Sequence, residues 1–250
     1  MKRWFRALLL SAIWPVLLAA GLADTVDVQK LLEEVDDNLW STSKFIEGRL
    51  IIDNGRRVRT LKQEVWMQGV TRSFTKYMAP ARERGTKMLK VGKKLWMYTP
   101  RTDRKILISG HLLRQSMMGS DLSYEDMTED EKISAAYTGE VEGREVINGV
   151  ETLILSLRAR SPDKTYQKLR VWVDARRKIV LREEKYAKSG RLLKTVEFLD
   201  YRPIDGRLFP KKMVFRDALK GNTKTTYVFD RIDFDVNIPP RYFSLSILKR

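Results

Sequence analysis

The sequence predicts a mainly β protein built on one antiparallel, mostly meandering sheet. Three observations predict it. Apolar residues alternate with period two from about residue 44 onward. Turn signals recur between the alternating runs, and only the stretch 111–132 is long enough and irregular enough to interrupt the strands. Consecutive strands without intervening helices pair antiparallel, because parallel pairing needs a long crossover. The 250 residues are 43% hydrophobic and 32% charged, enough apolar content for a packed core.

The chain opens with a basic start, Met1 to Arg6, followed by a 14-residue apolar stretch over 7–20. Gly21-Leu22-Ala23 then places small residues before Asp24. This is the three-part pattern of a cleaved secretory signal peptide. Fourteen apolar residues with a central Pro15 fall short of the ~20 that span a bilayer. We therefore expect residues 1–23 to be a signal peptide, residues 24–250 to form a single domain, and the product to be exported. Asp24 stands where a lipoprotein signal would need cysteine. The segment Val26 to Trp40 carries apolar residues at 28, 31, 32, 35 and 39, the spacing of an amphipathic helix with an acidic outer face.

Thirteen strand-like runs follow, over 44–52, 58–68, 71–79, 86–91, 95–99, 104–108, 134–142, 150–159, 165–174, 178–187, 191–202, 208–217 and 223–235. Asp53-Asn54-Gly55, Gly92, Glu142-Gly143, Asn148-Gly149, Ser189-Gly190, Asp205-Gly206 and Gly221-Asn222 read as the turns between them. Pro80, Pro100, Pro162, Pro203 and Pro210 fall at the ends of runs, where a missing N–H does least harm.

Many of these runs are apolar on both faces. Leu169, Val171 and Val173 face one way, and Tyr166 and Trp172 the other. Trp96 and Tyr98 oppose Leu95 and Met97, and in the last run Tyr227 and Phe229 precede Ile232 and Phe234 with a change of parity. A sheet apolar on both faces must be covered on both, by protein or by ligand. One N-terminal helix and the segment 111–132 are the covering elements available. Two architectures satisfy the pattern: a strongly curved sheet that partly closes on an apolar cavity, or a sandwich of two sheets covering each other. In the first, Trp96, Tyr98, Tyr166 and Trp172 line the cavity.

The chemistry open to the chain is narrow. It has no cysteine, which removes disulfides, thiolate metal sites and cysteine nucleophiles, and one histidine, His111. There is no G-x-S-x-G, H-E-x-x-H or Walker-type loop. His111, Ser116 or Ser120, and Asp121 are close in sequence, which is no evidence of triad geometry. We expect no catalytic residues, no metal and no cofactor. The formal charge of +16 becomes +13 without the leader, which contains three basic residues and no acid. Arg56-Arg57, Lys93-Lys94, Arg176-Arg177-Lys178 and Lys211-Lys212 sit beside turn signals. They serve either to keep sheet edges soluble or to meet anionic lipid headgroups. Nucleic acid is not expected as a partner of an exported protein.

In segment 111–132, Ser123 with Asp126, and Thr128 with Glu131, have capping-box spacing and predict short helical turns. Asp121, Glu125 and Asp126 are carboxylates of the kind that serve acid–base or Ca²⁺ chemistry, and read here rather as groups that cap and solvate those turns. Met117-Met118 is an adaptable apolar pair, suited either to filling core or to meeting varied hydrophobic shapes. Gly119 beside it gives the backbone freedom of a lid.

Three blocks carry a family resemblance: Tyr77-Met78-Ala79-Pro80 with Arg84-Gly85-Thr86; Leu95-Trp96-Met97-Tyr98-Thr99-Pro100; and Met118-Gly119-Ser120-Asp121-Leu122-Ser123-Tyr124-Glu125-Asp126. With Tyr166, Val171-Trp172-Val173-Asp174, Leu193-Lys194-Thr195 and Ile238-Pro239, they resemble, in order over residues 44–250, the outer-membrane lipoprotein-sorting (LolA-like) family. The resemblance implies an incomplete antiparallel β-barrel, with an apolar cavity closed by an N-terminal helix and a short helical lid. It implies a periplasmic carrier that binds lipoprotein acyl chains and moves them toward the outer membrane, with an inner-membrane exporter as donor and transient contact with a membrane surface. The alternative within the family is a lipid-binding accessory of an exporter that does not handle lipoproteins. Outside it stands a basic scaffold that binds envelope polymers through charge. The expected acyl-chain residues are Trp96, Tyr98, Met117, Met118, Tyr166 and Trp172.

Overall fold

The computed structural model describes residues 26–129 and 131–249; the predicted leader lies outside the described residues. Helix α1 (Val28–Leu39) begins where predicted, with the Asp27 side chain accepting a hydrogen bond from the Lys30 N–H. The strands are β1 (Ser43–Asp53), β2 (Val58–Gln68), β3 (Arg72–Ala79), β4 (Lys87–Val91), β5 (Lys94–Thr99) and β6 (Arg104–Ile108). After a crossover come β7 (Tyr137–Ile147), β8 (Val150–Ala159), β9 (Lys168–Asp174), β10 (Ile179–Tyr186), β11 (Leu192–Ile204), β12 (Arg207–Asp217) and β13 (Lys224–Phe234).

All thirteen form one antiparallel sheet in the order β6-β5-β4-β3-β2-β1-β13-β12-β11-β10-β9-β8-β7. The chain thus enters at the middle of the sheet and meanders out to one edge. It crosses over residues 109–136 to the far edge, then meanders back until β13 pairs with β1. That excludes the two-sheet sandwich. It is also not a closed barrel, since β6 and β7 each have one neighbour.

Local chemistry sets the hairpins. Asn148-Gly149 and Asp205-Gly206 both have two successive positive φ angles (50° and 80°, 49° and 76°), as a two-residue turn matched to strand twist requires. The parity change in the last strand is a bulge: Glu47 pairs with Arg231 and Gly48 with Phe229, leaving Asp230 extra, so Phe229 and Ile232 both turn inward. Gly48 is needed there, because a Cβ would lie 2.9 Å from the Tyr227 hydroxyl.

Two expectations change. Residues 134–136 belong to a helical turn, α2 (Ile133–Ala136), rather than to a strand. Its first N–H groups meet a carboxylate from α1, a partner invisible to local pattern. Glu142-Gly143 is not a turn; β7 runs through it with a bulge between Val141 and Gly143 while β8 continues alongside.

The inner face is covered in two halves. Leu31, Leu32 and Val35 of α1 pack on Leu155, Val171 and Val196. The crossover packs Met117 and Tyr124 on Leu50, Leu61, Tyr77 and Leu95. The outer face is covered as well, and by the chain itself. The 3-10 turns Pro240–Phe243 and Leu245–Lys249 bring Tyr242, Ile247 and Leu248 against Trp66, Phe74, Leu89, Trp96 and Tyr98. At the other half the Trp172 ring lies 4.3 Å from the Arg182 guanidinium and 5.0 Å from that of Arg170, and its Nε1 donates to Glu145 at 2.6 Å.

Candidate functional site

Between α1 and the crossover the inner face is left uncovered, and a hollow of about 380 Å³ remains. Inward residues of β1 and β2 (Ile46, Leu50, Val65, Met67) meet those of β11, β12 and β13 (Val196, Met213, Phe215, Tyr227, Phe229) around it. Strands β2 and β11 are four places apart in the sheet order, so one shared hollow requires a strongly curved sheet. Met117, Leu122 and Met127 of the crossover form its roof. The size lies at the lower end of the ~300–1,000 Å³ usual for ligand pockets. A roomier cleft of about 780 Å³ lies at hairpin ends, with Arg144, Glu151, Asp174 and Arg176 in its walls. Charged tips of that kind do not suit an apolar guest.

One wall of the hollow is polar. Lys185 and Lys194 are register partners on β10 and β11 and both point inward. Asp126 of the crossover joins them, contacting the Lys194 ammonium and accepting from the Tyr166 hydroxyl at 2.5 Å. Burial works against the charged form of Asp126, but Lys194 and Lys185 outweigh it and hold the carboxyl below its usual range. Burial, then Asp126, push the Tyr166 phenol far above its ordinary value. Asp126 also closes the expected capping box: Ser123 N–H donates to its carboxylate at 2.7 Å, and its own N–H donates to the Ser123 hydroxyl at 3.3 Å. On the opposite wall, Gln63 Nε2 donates to the Tyr227 hydroxyl at 2.9 Å, and its buried Oε1 has no partner among the described residues.

The crossover is pinned at Asp121, which is buried rather than solvating a helix end. Its carboxylate accepts from the hydroxyls of Thr223 (2.5 Å) and Thr225 (2.6 Å). Met118 (φ 52°) and Gly119 (φ 76°) are both left-handed, and the Met118 carbonyl accepts from Arg59. Lys44 donates to the Leu39 carbonyl at 2.7 Å, closing the end of α1, with its ammonium 4.3 Å from the ring of Trp40, which lines the hollow. Burial, then Arg207, push the Lys44 ammonium down to about 7.

Of the six residues expected at the cavity, Met117 is in its roof. Met118 packs beside it without lining the hollow. Tyr166 lies in an adjoining cleft of about 180 Å³ under α1, which shares Trp40, Glu129 and Lys185 with the hollow. Trp96, Tyr98 and Trp172 lie on the outer face. The physical reason is that terminal turns and stacked arginines pack on that face. The polar wall was not expected: the Ser189-Gly190 hairpin sets Lys185 opposite Lys194, but only the tertiary fold turns that pair into the hollow and brings Asp126 to it.

The fold is shared with solved structures. A DUF1329 family protein from Desulfovibrio piger superposes with a TM-score of 0.79 at 25% identity, over 88% of this chain and 97% of that one. An outer membrane lipoprotein-sorting protein domain from Vibrio parahaemolyticus gives 0.77 at 22%, over 89% and 98%. A LolA superfamily protein from Nitrosomonas europaea gives 0.75 at 24%, over 89% and 99%. No curated protein matches the chain in sequence. A family model described as "Uncharacterized protein" matches residues 69–250, from the end of β2 through the C-terminal turns. The chain belongs to the family of that model, and its fold is that of the DUF1329 and LolA-superfamily structures. In LolA-like terms its sheet is the incomplete barrel, and α1 and the crossover are the helical segments that cover it.

Proposed function

We propose that the protein is a periplasmic carrier. It shelters the acyl chains of a lipoprotein, or of another lipid, in the hollow and moves them toward the outer membrane. The observation that carries this is the apolar hollow left between two separate covers, α1 and the crossover. Residues 1–23 act as the export signal, and residues 24–250 form one carrier domain. The lipoprotein-sorting domain of Vibrio parahaemolyticus supports the same reading through its shared fold.

The energetics fit a carrier. Each CH₂ taken from water is worth ~0.8 kcal/mol, so a sixteen-carbon chain resists exposure by roughly 12 kcal/mol. Aromatic, Met and Leu side chains can replace that burial without asking a hydrogen bond of the guest. Binding of this kind needs no cofactor. Release needs a cover whose open and closed states differ by only a few kcal/mol. Donation from an inner-membrane exporter completes the reading.

The test is titration of the mature protein with a fluorescent fatty acid. Micromolar binding is expected, with tenfold or greater weakening in Leu122→Trp, which fills the hollow from the roof. A folded wild type that binds no fatty acid overturns the proposal. Intact mass of the periplasmic protein is expected to begin at Asp24.

A further inference from the structure

An apolar hollow with two lysines side by side in its wall calls for an explanation. Lys185 and Lys194 stand directly opposite each other on neighbouring antiparallel strands, where facing side chains are ~5 Å apart at Cβ and like charges repel. Both are withdrawn from water, their side chains 22% and 8% exposed. Such a pair needs anions. The sheet supplies one, Glu183 on β10, whose carboxylate lies 3.6 Å from the Lys185 ammonium. The other is Asp126, which comes from the crossover instead.

Glu129 also acts on Lys185 through space, and the other charges nearby have partners of their own. The Glu129 carboxylate pairs with Lys164 at 3.0 Å, and the Lys90 ammonium donates to the carbonyls of Val70 and Glu129. Asp126 is therefore the neutralising group for Lys194, and it rides on the segment whose Met117, Leu122 and Met127 roof the hollow. A guest that fills the hollow presses on that roof. Lifting it takes Asp126 from Lys194 and leaves a partly buried cation uncompensated, which is costly unless another anion arrives. Val196, two residues along from Lys194 on the same face, continues directly into the apolar wall.

We propose that Lys185 and Lys194 form an anion subsite for a carboxylate or phosphate attached to the bound acyl chain, and that Asp126 fills this subsite when the hollow is empty. The inference rests on the hollow being the acyl-chain site. It adds the chemical class of the guest: an amphiphile whose negative charge lies at the head of its chain. Loading exchanges one anion for another at constant local charge, so the lid carboxylate and the guest compete for the same lysines.

The test compares a fluorescent fatty acid, its methyl ester and inorganic phosphate as ligands of the mature protein. The acid is expected to bind at least tenfold tighter than the ester. Lys185→Met and Lys194→Met should bring the acid-to-ester ratio close to one, and Lys194→Arg should largely keep it. Asp126→Asn, which removes the internal competitor, should raise the ratio several-fold, a gain that a folding defect does not produce. Equal binding of acid and ester by the wild type overturns the subsite and leaves the hollow standing as a carrier site. Binding of neither overturns both. An Asp126→Asn variant with a lowered ratio makes Asp126 purely structural and ends the exchange model. Displacement of the acid by an equal concentration of inorganic phosphate means a free anion, not a lipid head, is the guest.

Discussion

The carboxylate of Asp36, on the inner side of α1, accepts the backbone N–H of Ser134 at 2.9 Å and that of Ile133 at 3.3 Å. The helix that covers one half of the sheet is thereby tied to the last turn of the crossover that covers the other half. Burial pushes the Asp36 carboxyl up, and the bonds from Ser134 only partly counter it. Asp36→Ala is expected to lower stability by about 1–2 kcal/mol through loss of the cap. Asp36→Asn keeps an acceptor and sheds the buried charge, so its urea midpoint at neutral pH should stay near or above that of the wild type. An alanine variant with an unchanged midpoint would sink this account.

Lys44 gives a pH signature. Its folded pKa, about 7, lies below its ordinary value of 10.5. Between those two values the unfolded chain holds the proton and the native state sheds it, so stability should rise with pH across that window. The full cost of burying the charge applies below pH 7. Thermal melts from pH 7 to 9 should show a rise in the wild type that is absent from Lys44→Met. Parallel curves for the two proteins would mean that Lys44 stays charged when folded.

Asp121 anchors the roof. Asp121→Ala leaves the hydroxyls of half-buried Thr223 and buried Thr225 without their acceptor, a loss of roughly 1–3 kcal/mol, mostly from Thr225. The crossover should then become the first site of limited proteolysis, with cuts inside residues 111–132, and bound lipid should exchange faster. Unchanged proteolysis would place the anchor elsewhere.

Trp172 separates stability from binding. It is 1% exposed yet on the outer face, between two guanidinium groups. Trp172→Ala should cost about 3–5 kcal/mol of stability. Below its melting temperature it should bind fatty acid as the wild type does. Met213→Trp, in the hollow, should do the reverse, weakening binding at least tenfold with little loss of stability. A Trp172→Ala protein that is folded but unable to bind would put the guest on the other face.

The elements are legible along the chain. Residues 28, 31, 32, 35 and 39 share one helical face, which is a local fact, and four of those five, from Val28 to Val35, are buried in α1. Turn chemistry at Asn148-Gly149 and Asp205-Gly206, and the parity change after Phe229, are local facts too; the first placed hairpins, and the second marks what the pairing shows to be a bulge. Period two also showed that both faces of the sheet are apolar. It does not say which face is concave, because Trp96 and Leu95 alternate identically whether the cover is a lid, a terminus or a guest.

Only the tertiary structure decided that. Pairing of β1 with β13, strands at opposite ends of the chain, joins the two meanders into one sheet, and α1 and the crossover packed on one side fix its inner face. The C-terminal turns then claim Trp96 and Tyr98, and Arg170 and Arg182 claim Trp172. The β10–β11 hairpin sets Lys185 against Lys194, and only the fold of the whole sheet turns that pair into the wall of the hollow. Asp126, legible in sequence as a cap, acquires its second partner only because the crossover lies over that register. Alternation depends on neighbours along the chain and can be read there. A binding wall depends on which strands meet, and those meetings are fixed by burial over the whole sheet.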